Sequence, residues 1–523
     1  MILALGLSLV PAAALAASYD VVDKDIATLQ ADMAAGRIDA AGLVEAYRAR
    51  IAVIDPLLHS VIALNPDALA QARALDAERT AGHLRGPLHG IPILVKDNIE
   101  TRDPMPTTAG SLALADNITH RDAPVIARLR AAGAIILGKT NLSEWANIRS
   151  THSISGWSAI GGWTRNPYVL DRSTCGSSAG TGAAIAASLA AAGLGTETNG
   201  SLVCPGAFNS LVSIKPTVGL VSRTHIVPIS HTQDTAGPMT RNVADTALLL
   251  SAMAGSDPTD SATAPADAHR VDYAALSGAS LKGKRLGVIL PPVDQASPAI
   301  EAVMRHAIAI LRQEGAEIVE IRGFLRPVAA SDAEGTVLKF ELKHDMAAYL
   351  QSLPGSGPKT LADLIAFNAR TPRELALFDQ DYFEMANEKA GLDDPGYIQA
   401  REELMASTRV LLDKTLKDNR LDALVRPTED MVFRLDVIKG DNDGPGASFL
   451  PAVSGYPHLT VPMGYVRDLP VGLSFIGPAW SEASLLAMGA AFEHAATARR
   501  SPAFLPSLEA KPDIAAALAP MPR

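Results

Sequence analysis

The chain has 523 residues, of which 48% are hydrophobic, 20% charged and 5% aromatic, and its 46 basic and 56 acidic side chains give a formal net charge of −10. The apolar content excludes a disordered chain, and the acidic balance, with no Lys/Arg run, argues against a nucleic-acid partner. Two cysteines in this length exclude a scaffold held together by disulfides.

The first residues are interpreted separately from the fold. Residues 1–10 are almost wholly apolar, Pro11 interrupts them, and Ala14-Leu15-Ala16 supplies the small-x-small pattern of a leader-peptidase site. We predict a secretory signal over residues 1–16 and export to the periplasm or the exterior. No Lys or Arg precedes the run, so either the true start lies upstream or the segment is only an apolar N-terminal helix. A cytoplasmic protein is the alternative to export. A stable membrane span is not expected, because a span needs ~20 residues.

Hydrophobic periodicity predicts the elements of the N-terminal half. Residues 22–54 fit two amphipathic helices with a break at Gly36, and residues 68–79 fit a third. The apolar run over residues 90–95 is typical of a buried strand, and Lys96 follows directly at its end. Further elements are a helix over 124–132, a strand over 134–137 and a closely packed helix over the small-residue stretch 180–192.

The C-terminal half continues the alternation. A strand, a helix and a strand are predicted over residues 285–290, 299–314 and 317–322. This order predicts an α/β protein with helices flanking a central sheet. Residues 257–268 are the best candidate linker and residues 441–446 a second, but neither is long enough to establish separate domains.

A phosphate-loop pattern occurs at Gly133, where the sequence fits G-x-x-x-x-G-K-[ST] through Lys139 and Thr140. A phosphate loop needs a strand before the first glycine and a flexible loop after it. Here a helical pattern precedes Gly133 and apolar, strand-like residues follow it. We therefore interpret the match as fortuitous and expect no nucleotide.

A second pattern, G-x-S-x-G over residues 176–180, would make Ser178 the nucleophile of an α/β-hydrolase esterase. In those esterases the serine lies in a sharp turn, the nucleophile elbow, directly after a buried strand. Residues 163–174 are instead polar and turn-like. The small-residue turn over residues 196–201 is a third candidate, because a tight turn can present backbone N–H groups beside the Ser201 hydroxyl and stabilise an oxyanion. An isolated Gly-Ser turn is usually only a turn.

Lys96, the Ser177-Ser178 pair and Ser201 occur together with other segments, and this combination resembles the amidase signature hydrolases. The resemblance spans residues 26–506 and rests on ordered segments at 86–98, 107–111, 137–144, 165–167, 175–180, 195–201, 214–217, 234–238, 455–457 and 469–473. It implies an α/β/α sandwich with a large mixed central sheet, formed by one catalytic domain over residues 17–510 with a tail at 511–523.

The resemblance also implies roles. Lys96 would be the base, Ser177 the bridging serine after a cis peptide bond to Gly176, and Ser201 the nucleophile that forms an acyl-enzyme. Ser178 and Gly176 would support the site. The oxyanion hole would be lined by backbone N–H groups, those of Thr198, Asn199, Gly200 and Ser201. No metal or cofactor is implied, and the twelve histidines show no metal-ligand spacing.

The lysine sets an energetic requirement. A free lysine has a pKa of ~10.4, so a base working near neutral pH must lose roughly three units. Burial behind the apolar run can supply this loss. The other interpretation of Lys96 is a solvated surface lysine or an ion pair with Asp97.

Three departures from the family pattern are visible. Cys175 and Ala179 stand where glycines are usual, and Asn199 replaces the first glycine of Gly-Gly-Ser; asparagine tolerates positive φ, so the turn can still form. Cys175 and Cys204 lie beside the two serines, and a disulfide and two buried thiols are equally compatible with the sequence.

The segments around Ser201 and over residues 226–239 look most like the peptide amidases, which remove ammonia from C-terminal amides. The substrate would be a small or short-peptide amide. The alternatives are a broad aliphatic or aryl amide hydrolase, the Ser178 esterase, and a non-catalytic exported binding protein. The sequence gives no signal of the oligomeric state.

Overall fold

The structure is a computed structural model that describes residues 19–275, 279–289, 297–322, 330–442 and 444–520. The predicted signal over residues 1–16 lies outside them. None of the helices in the described ranges has the length and apolar character needed to cross a bilayer.

The described chain contains sixteen α-helices. They are α1 Ile26–Ala34, α2 Ala40–Leu58, α3 Ala68–Thr80, α4 Pro124–Ala131, α5 Ala179–Ala186, α6 Val203–Phe208, α7 Val243–Met253, α8 Ala266–His269, α9 Pro298–Gln313, α10 Ala330–Ser352, α11 Leu361–Ala369, α12 Asp381–Asn387, α13 Pro395–Asp418, α14 Phe449–Ser454, α15 Glu482–Ala496 and α16 Pro512–Leu518.

Thirteen β-strands are found in the same ranges. They are β1 Val61–Leu64, β2 Pro92–Lys96, β3 Ile135–Thr140, β4 Trp157–Ser158, β5 Gly162–Trp163, β6 Ala192–Glu197, β7 Val212–Lys215, β8 Thr235–Thr240, β9 Arg285–Ile289, β10 Glu317–Ile321, β11 Ala423–Pro427, β12 His458–Val466 and β13 Leu469–Ile476. Eleven form one sheet in the order β1-β3-β2-β6-β8-β7-β12-β13-β11-β9-β10, and β4 pairs with β5.

The sheet is mixed. Strand β2 runs parallel to β3 and β6, β9 runs parallel to β10 and β11, and the remaining neighbours are antiparallel. Helices cover both sides, which confirms the predicted α/β/α sandwich. One sheet joins strands from both halves of the chain, whereas the domain limits at residues 17 and 510 stay predictions.

The centre of the sheet determines where Lys96 lies. All five residues of β2 are buried, and Val95 pairs with Leu194 of the parallel strand β6. Because parallel strands end at the same edge, the last residue of β2 and the residues that follow β6 meet there. This register brings Lys96 to the turn that carries Ser201.

Most predicted elements are confirmed, with two corrections. The helix expected over residues 180–192 ends at Ala186, and Ala192 starts strand β6, since Ser188 adopts a left-handed φ of 57° that stops the helix. The candidate linker over residues 257–268 is packed on the body rather than free. Asp260 is buried against Arg223, and Ala266 is fully buried.

Candidate active site

Lys96 is enclosed at the end of β2. Its side chain is fully buried, and Nζ donates hydrogen bonds to Ser177 Oγ at 2.7 Å and to Thr196 Oγ1 at 2.8 Å. Asn98 Nδ2 donates to the same threonine hydroxyl at 2.9 Å. The predicted base and the predicted bridging serine are therefore in direct contact, and the surface and Asp97-paired alternatives for Lys96 do not describe its position.

Burial changes the protonation of this lysine. It lowers the pKa of Lys96 to about 7, and the negative charges of Asp234 and Glu197 oppose part of that effect. An ordinary lysine is almost wholly protonated at pH 7, whereas a group with this pKa is about half neutral. The amine can therefore accept a proton near neutral pH.

Ser177 lies on an unusual backbone. The peptide bond between Gly176 and Ser177 is cis, as the resemblance implies, and the serine side chain is fully buried. A Cβ at Gly176 would collide with Ser143 Oγ, so a larger residue would have to displace this hydroxyl from the Gly156 N–H that it accepts. The tight packing holds the Ser177 hydroxyl against Lys96.

Ser178 does not have the surroundings of a nucleophile elbow. The described residues 163–178 include one residue of β5, Trp163, and no strand directly before the serine. Its Oγ donates to the Thr196 carbonyl at 3.1 Å and accepts from the Thr196 N–H at 3.3 Å. Its own N–H donates to the Ser201 carbonyl at 3.2 Å. Ser178 thus links the two serine segments.

The turn after β6 carries Ser201. Glu197, the last residue of β6, accepts hydrogen bonds from the N–H groups of Leu202 at 2.8 Å and Val203 at 3.1 Å. Burial raises the pKa of Glu197, while the charge of Lys215 and the backbone N–H groups of Leu202, Val203 and Gly200 act against the rise. Glu197 thereby fixes the turn from inside the protein.

The positive φ of this turn falls on Gly200, at 84°, and Asn199 is not among the positive-φ residues of the described chain. The tolerance for positive φ invoked for Asn199 is therefore not required. Its side chain instead anchors the turn, since Nδ2 donates to Glu334 at 2.8 Å and Oδ1 accepts from Ser448 Oγ at 2.7 Å.

Cys175 and Cys204 form a disulfide with a Cα–Cα distance of 5.9 Å. The question that the sequence left open is thus answered by the structure. Cys175 has a φ of 57°, a left-handed conformation that suits glycine and explains why a glycine is usual there. The bond connects the segment that carries Ser177 to the helix that follows Ser201.

A cavity of about 420 Å³ opens at Ser201. Ser201 is 8% exposed, and Gly176, Asn199 and both cysteines line the same cavity. The wall combines apolar and acidic side chains, namely Phe208, Ile229, Leu338, Phe433, Phe449, Glu429, Asp430 and Asp441. Its volume lies within the ~300–1,000 Å³ of pockets that hold drug-sized ligands.

The phosphate-loop pattern is structural. Gly138, Lys139 and Thr140 lie in strand β3, and Lys139 is fully buried. Its Nζ donates to the Ile99 carbonyl at 2.6 Å and to Thr107 Oγ1 at 2.8 Å. A lysine held in this way cannot reach a phosphate, so the prediction that the match is fortuitous fits the structure.

Several residues of the site were not predicted from the sequence. Thr196 and Asn98 complete the surroundings of Lys96, and Glu197 and Asp234 hold the turn, with Thr198 Oγ1 donating to Asp234 Oδ1 at 2.6 Å. All four lie in segments that carried the resemblance, but no spacing rule assigned them a role. Only the strand register reveals that these segments meet.

Comparisons with known proteins agree with this geometry. The amidase family model matches residues 42–486. A protein of Arabidopsis thaliana named a probable amidase is 37% identical over 503 residues, covering 94% of this chain and 93% of its own. The X-ray structure of native peptide amidase from Stenotrophomonas maltophilia is 48% identical and superposes with a TM-score of 0.86 over 92% of this chain and 99% of that one. The peptide amidase PAM bound to the competitive inhibitor chymostatin gives 48% identity, a TM-score of 0.87 and the same coverage.

Proposed function

This chain belongs to the amidase signature family of C–N hydrolases, and from that premise we propose that it deamidates C-terminally amidated peptides through Lys96, Ser177 and Ser201. The observation that carries the catalytic assignment is the hydrogen bond of 2.7 Å from buried Lys96 Nζ to Ser177 Oγ beside the Ser201 cavity. The hydroxyl of Ser178 is occupied by the Thr196 backbone.

The proposed proton path starts from the contact between Lys96 and Ser177. Neutral Lys96 accepts the Ser177 proton while Ser177 takes the proton of Ser201, and Ser201 Oγ attacks the amide carbon. The carbonyl becomes an oxyanion, for which the backbone N–H groups of Thr198, Asn199 and Ser201 are the donors, since the Gly200 N–H is directed at Glu197. The C–N bond breaks as the relay returns a proton to the nitrogen, and ammonia leaves.

Hydrolysis of the acyl-enzyme completes the cycle. A water molecule takes the place of the amine, gives a proton to the same relay and attacks the ester carbon. The bond to Ser201 Oγ then breaks, the serine regains its proton, and the carboxylic acid is released. Lys96 returns to its neutral form.

Two observations support a peptide substrate. The solved structures that are 48% identical to this chain are peptide amidases, which this chain matches over 99% of their length. The cavity of about 420 Å³ at Ser201 has room for a residue or two beyond the amide. A small amide would leave most of its wall without contact.

Ammonia release tests the substrate. N-acetyl dipeptide amides are compared with acetamide, benzamide and an acylanilide, and the matching peptide acids serve as inert controls. We expect peptide amides to have a kcat/KM at least ~100-fold above that of acetamide, because contacts with the acyl side stabilise the transition state. Turnover confined to the small amides would contradict the peptide-amide proposal. No turnover by wild type, or full turnover by Ser201→Ala, would contradict the amidase mechanism.

We further propose that the protein is exported. The disulfide between Cys175 and Cys204 supports this, since disulfides persist in oxidising compartments. Cell fractionation followed by N-terminal sequencing is expected to give an extracytoplasmic protein that starts at Ala17. A cytoplasmic protein that retains Met1 would contradict export.

A further inference from the structure

Asp234 lies next to the turn that carries Ser201. It precedes β8 and lines a second cavity of about 350 Å³, which shares Ala146, Thr198 and Ile229 with the cavity at Ser201. The second cavity also reaches the residues around the buried amine, Asn98 and Thr196. Asp234 therefore lines the same cavity as the two residues that bond around the Lys96 amine.

The carboxylate of Asp234 makes three hydrogen bonds. Oδ1 accepts from Thr198 Oγ1 at 2.6 Å, and Oδ2 accepts from the N–H groups of Ile229 at 2.8 Å and Ser230 at 2.9 Å. Thr198 belongs to the turn that ends at Ser201, and Ile229 lines both cavities. The carboxylate thus ties the turn to the loop that closes the second cavity.

Two negative groups act on Lys96, and they differ in what surrounds them. Glu197 is enclosed by the start of α6 and faces the positive charge of Lys215. Asp234 faces the charge of Arg223, whose guanidinium is held by Asp260, and exerts the larger opposing effect on Lys96. The Asp234 charge is therefore available to stabilise a protonated lysine.

We propose that Asp234 is a positioning residue of the amidase reaction, whose negative charge keeps Lys96 basic enough to take the Ser177 proton and whose bond to Thr198 holds the turn that carries Ser201. This inference rests on the proposed function, because it assigns Lys96 the role of base. The Asp234 carboxylate then has two effects, its charge on Lys96 and its hydrogen bond to Thr198, and different variants remove each of them.

The sign of the pH effect follows from the charges. Burial raises the pKa of Asp234 to about 6, whereas the pKa of Lys96 lies at about 7. The carboxylate is consequently charged over the range in which the lysine loses its proton. Without that charge the protonated lysine is less stable, its pKa falls, and the acid limb of the rate profile moves to lower pH. A weaker base also lowers the rate on the plateau.

The test measures kcat and kcat/KM of the full-length enzyme from pH 5 to 9 by ammonia release from a peptide amide. For Asp234→Asn we expect the acid limb to move down by about half a pH unit or more. We also expect the plateau kcat to fall ~10- to 100-fold without a matching rise in KM. Thr198→Val removes the hydrogen bond but keeps the charge, so it should lower kcat and leave the acid limb in place.

Asp345→Asn is the matched control, since Asp345 lines the same cavity from helix α10 and bonds to His231 rather than to Thr198. Its acid limb should equal that of wild type. An unmoved or raised limb in Asp234→Asn, or an equal shift in Thr198→Val or Asp345→Asn, would overturn the proposal.

Asp234→Glu is the second variant if Asp234→Asn fails to fold, because it keeps the negative charge. An unmoved acid limb with a lowered kcat would support the charge effect. A downward shift of its acid limb would contradict it. Failure of the proposed function is separately visible, since Lys96→Met would then remain active.

Discussion

Replacing Lys96 with methionine tests whether burial of the catalytic amine lowers the stability of the folded protein. The change keeps the length and apolar stem of the side chain and removes the titrating group. Burial lowers the pKa of Lys96 from 10.5 to about 7. At ~1.36 kcal/mol per unit, keeping the amine protonated inside the fold costs about 5 kcal/mol below pH 7.

The stability difference between Lys96→Met and wild type should change with pH in a known direction. The unfolded chain binds the lysine proton up to a pH of ~10.4, whereas the folded chain releases it near 7, so wild-type stability rises with pH across this window. Lys96→Met lacks this dependence. The difference in the free energy of unfolding, variant minus wild type, should therefore fall by about 2–3 kcal/mol between pH 7 and pH 9.

Two hydrogen bonds affect the size of the stability difference between Lys96→Met and wild type, but not its change with pH. Ser177 Oγ and Thr196 Oγ1 lose the donor that Lys96 provides. Their loss costs about 1 kcal/mol each and does not depend on the titration of the lysine. The change of the stability difference with pH is therefore the quantity to measure.

Urea unfolding of both proteins at several pH values between 6 and 9 provides this quantity, and ammonia release from a peptide amide measures activity on the same samples. Lys282→Met is the control, because Lys282 is exposed and its substitution should give a difference that is flat with pH. A flat difference for Lys96→Met, or an active variant, would refute the account of Lys96 as a buried neutral base.

Three further predictions concern the two serine segments. The double variant with alanine at Cys175 and Cys204 should be less stable by about 3–4 kcal/mol, because a disulfide that joins residues 29 apart restricts the unfolded chain. Its thermal unfolding should not respond to reductant, whereas that of the wild type should. A wild type equally insensitive to reductant would contradict this prediction. Ser178→Ala should lower kcat by about tenfold, because it loses two hydrogen bonds to Thr196 that only orient the site. Inactivation as complete as that of Ser201→Ala would favour a catalytic Ser178. Gly176→Ala should lower the melting temperature and the rate, since its Cβ would displace the Ser143 hydroxyl from the Gly156 N–H. A normal melting temperature and rate would show that the segment is looser than described.

The sequence predicted those parts of the site that depend on local patterns. The apolar run before Lys96 identified a buried strand, and the strand-like residues inside the phosphate-loop pattern indicated that the match at Lys139 is fortuitous. Such features follow from a few neighbouring residues. Their prediction requires no knowledge of which strands pair.

The remaining parts depend on contacts between distant segments. Strand β6 was not predicted, because alanine and glycine carry little strand signal; Ala192 was assigned to the preceding helix and Thr196 and Glu197 to the turn that follows. Its six residues form a strand through pairing with β2 and β8. Asp234 lies far along the chain from Thr198 and meets it only because β6 and β8 are neighbours. The cysteine pairing likewise depends on the fold around Ser201.

The identity of the nucleophile is tested most directly by covalent labelling. The enzyme is treated with a serine-reactive phosphonyl probe, digested and mapped by mass spectrometry, with Lys96→Met and Ser201→Ala treated in parallel. We expect a single adduct on Ser201, formed far more slowly in Lys96→Met and lost in Ser201→Ala. An adduct on Ser178 or Ser177 in the wild type would contradict the assignment of Ser201 as the attacking group.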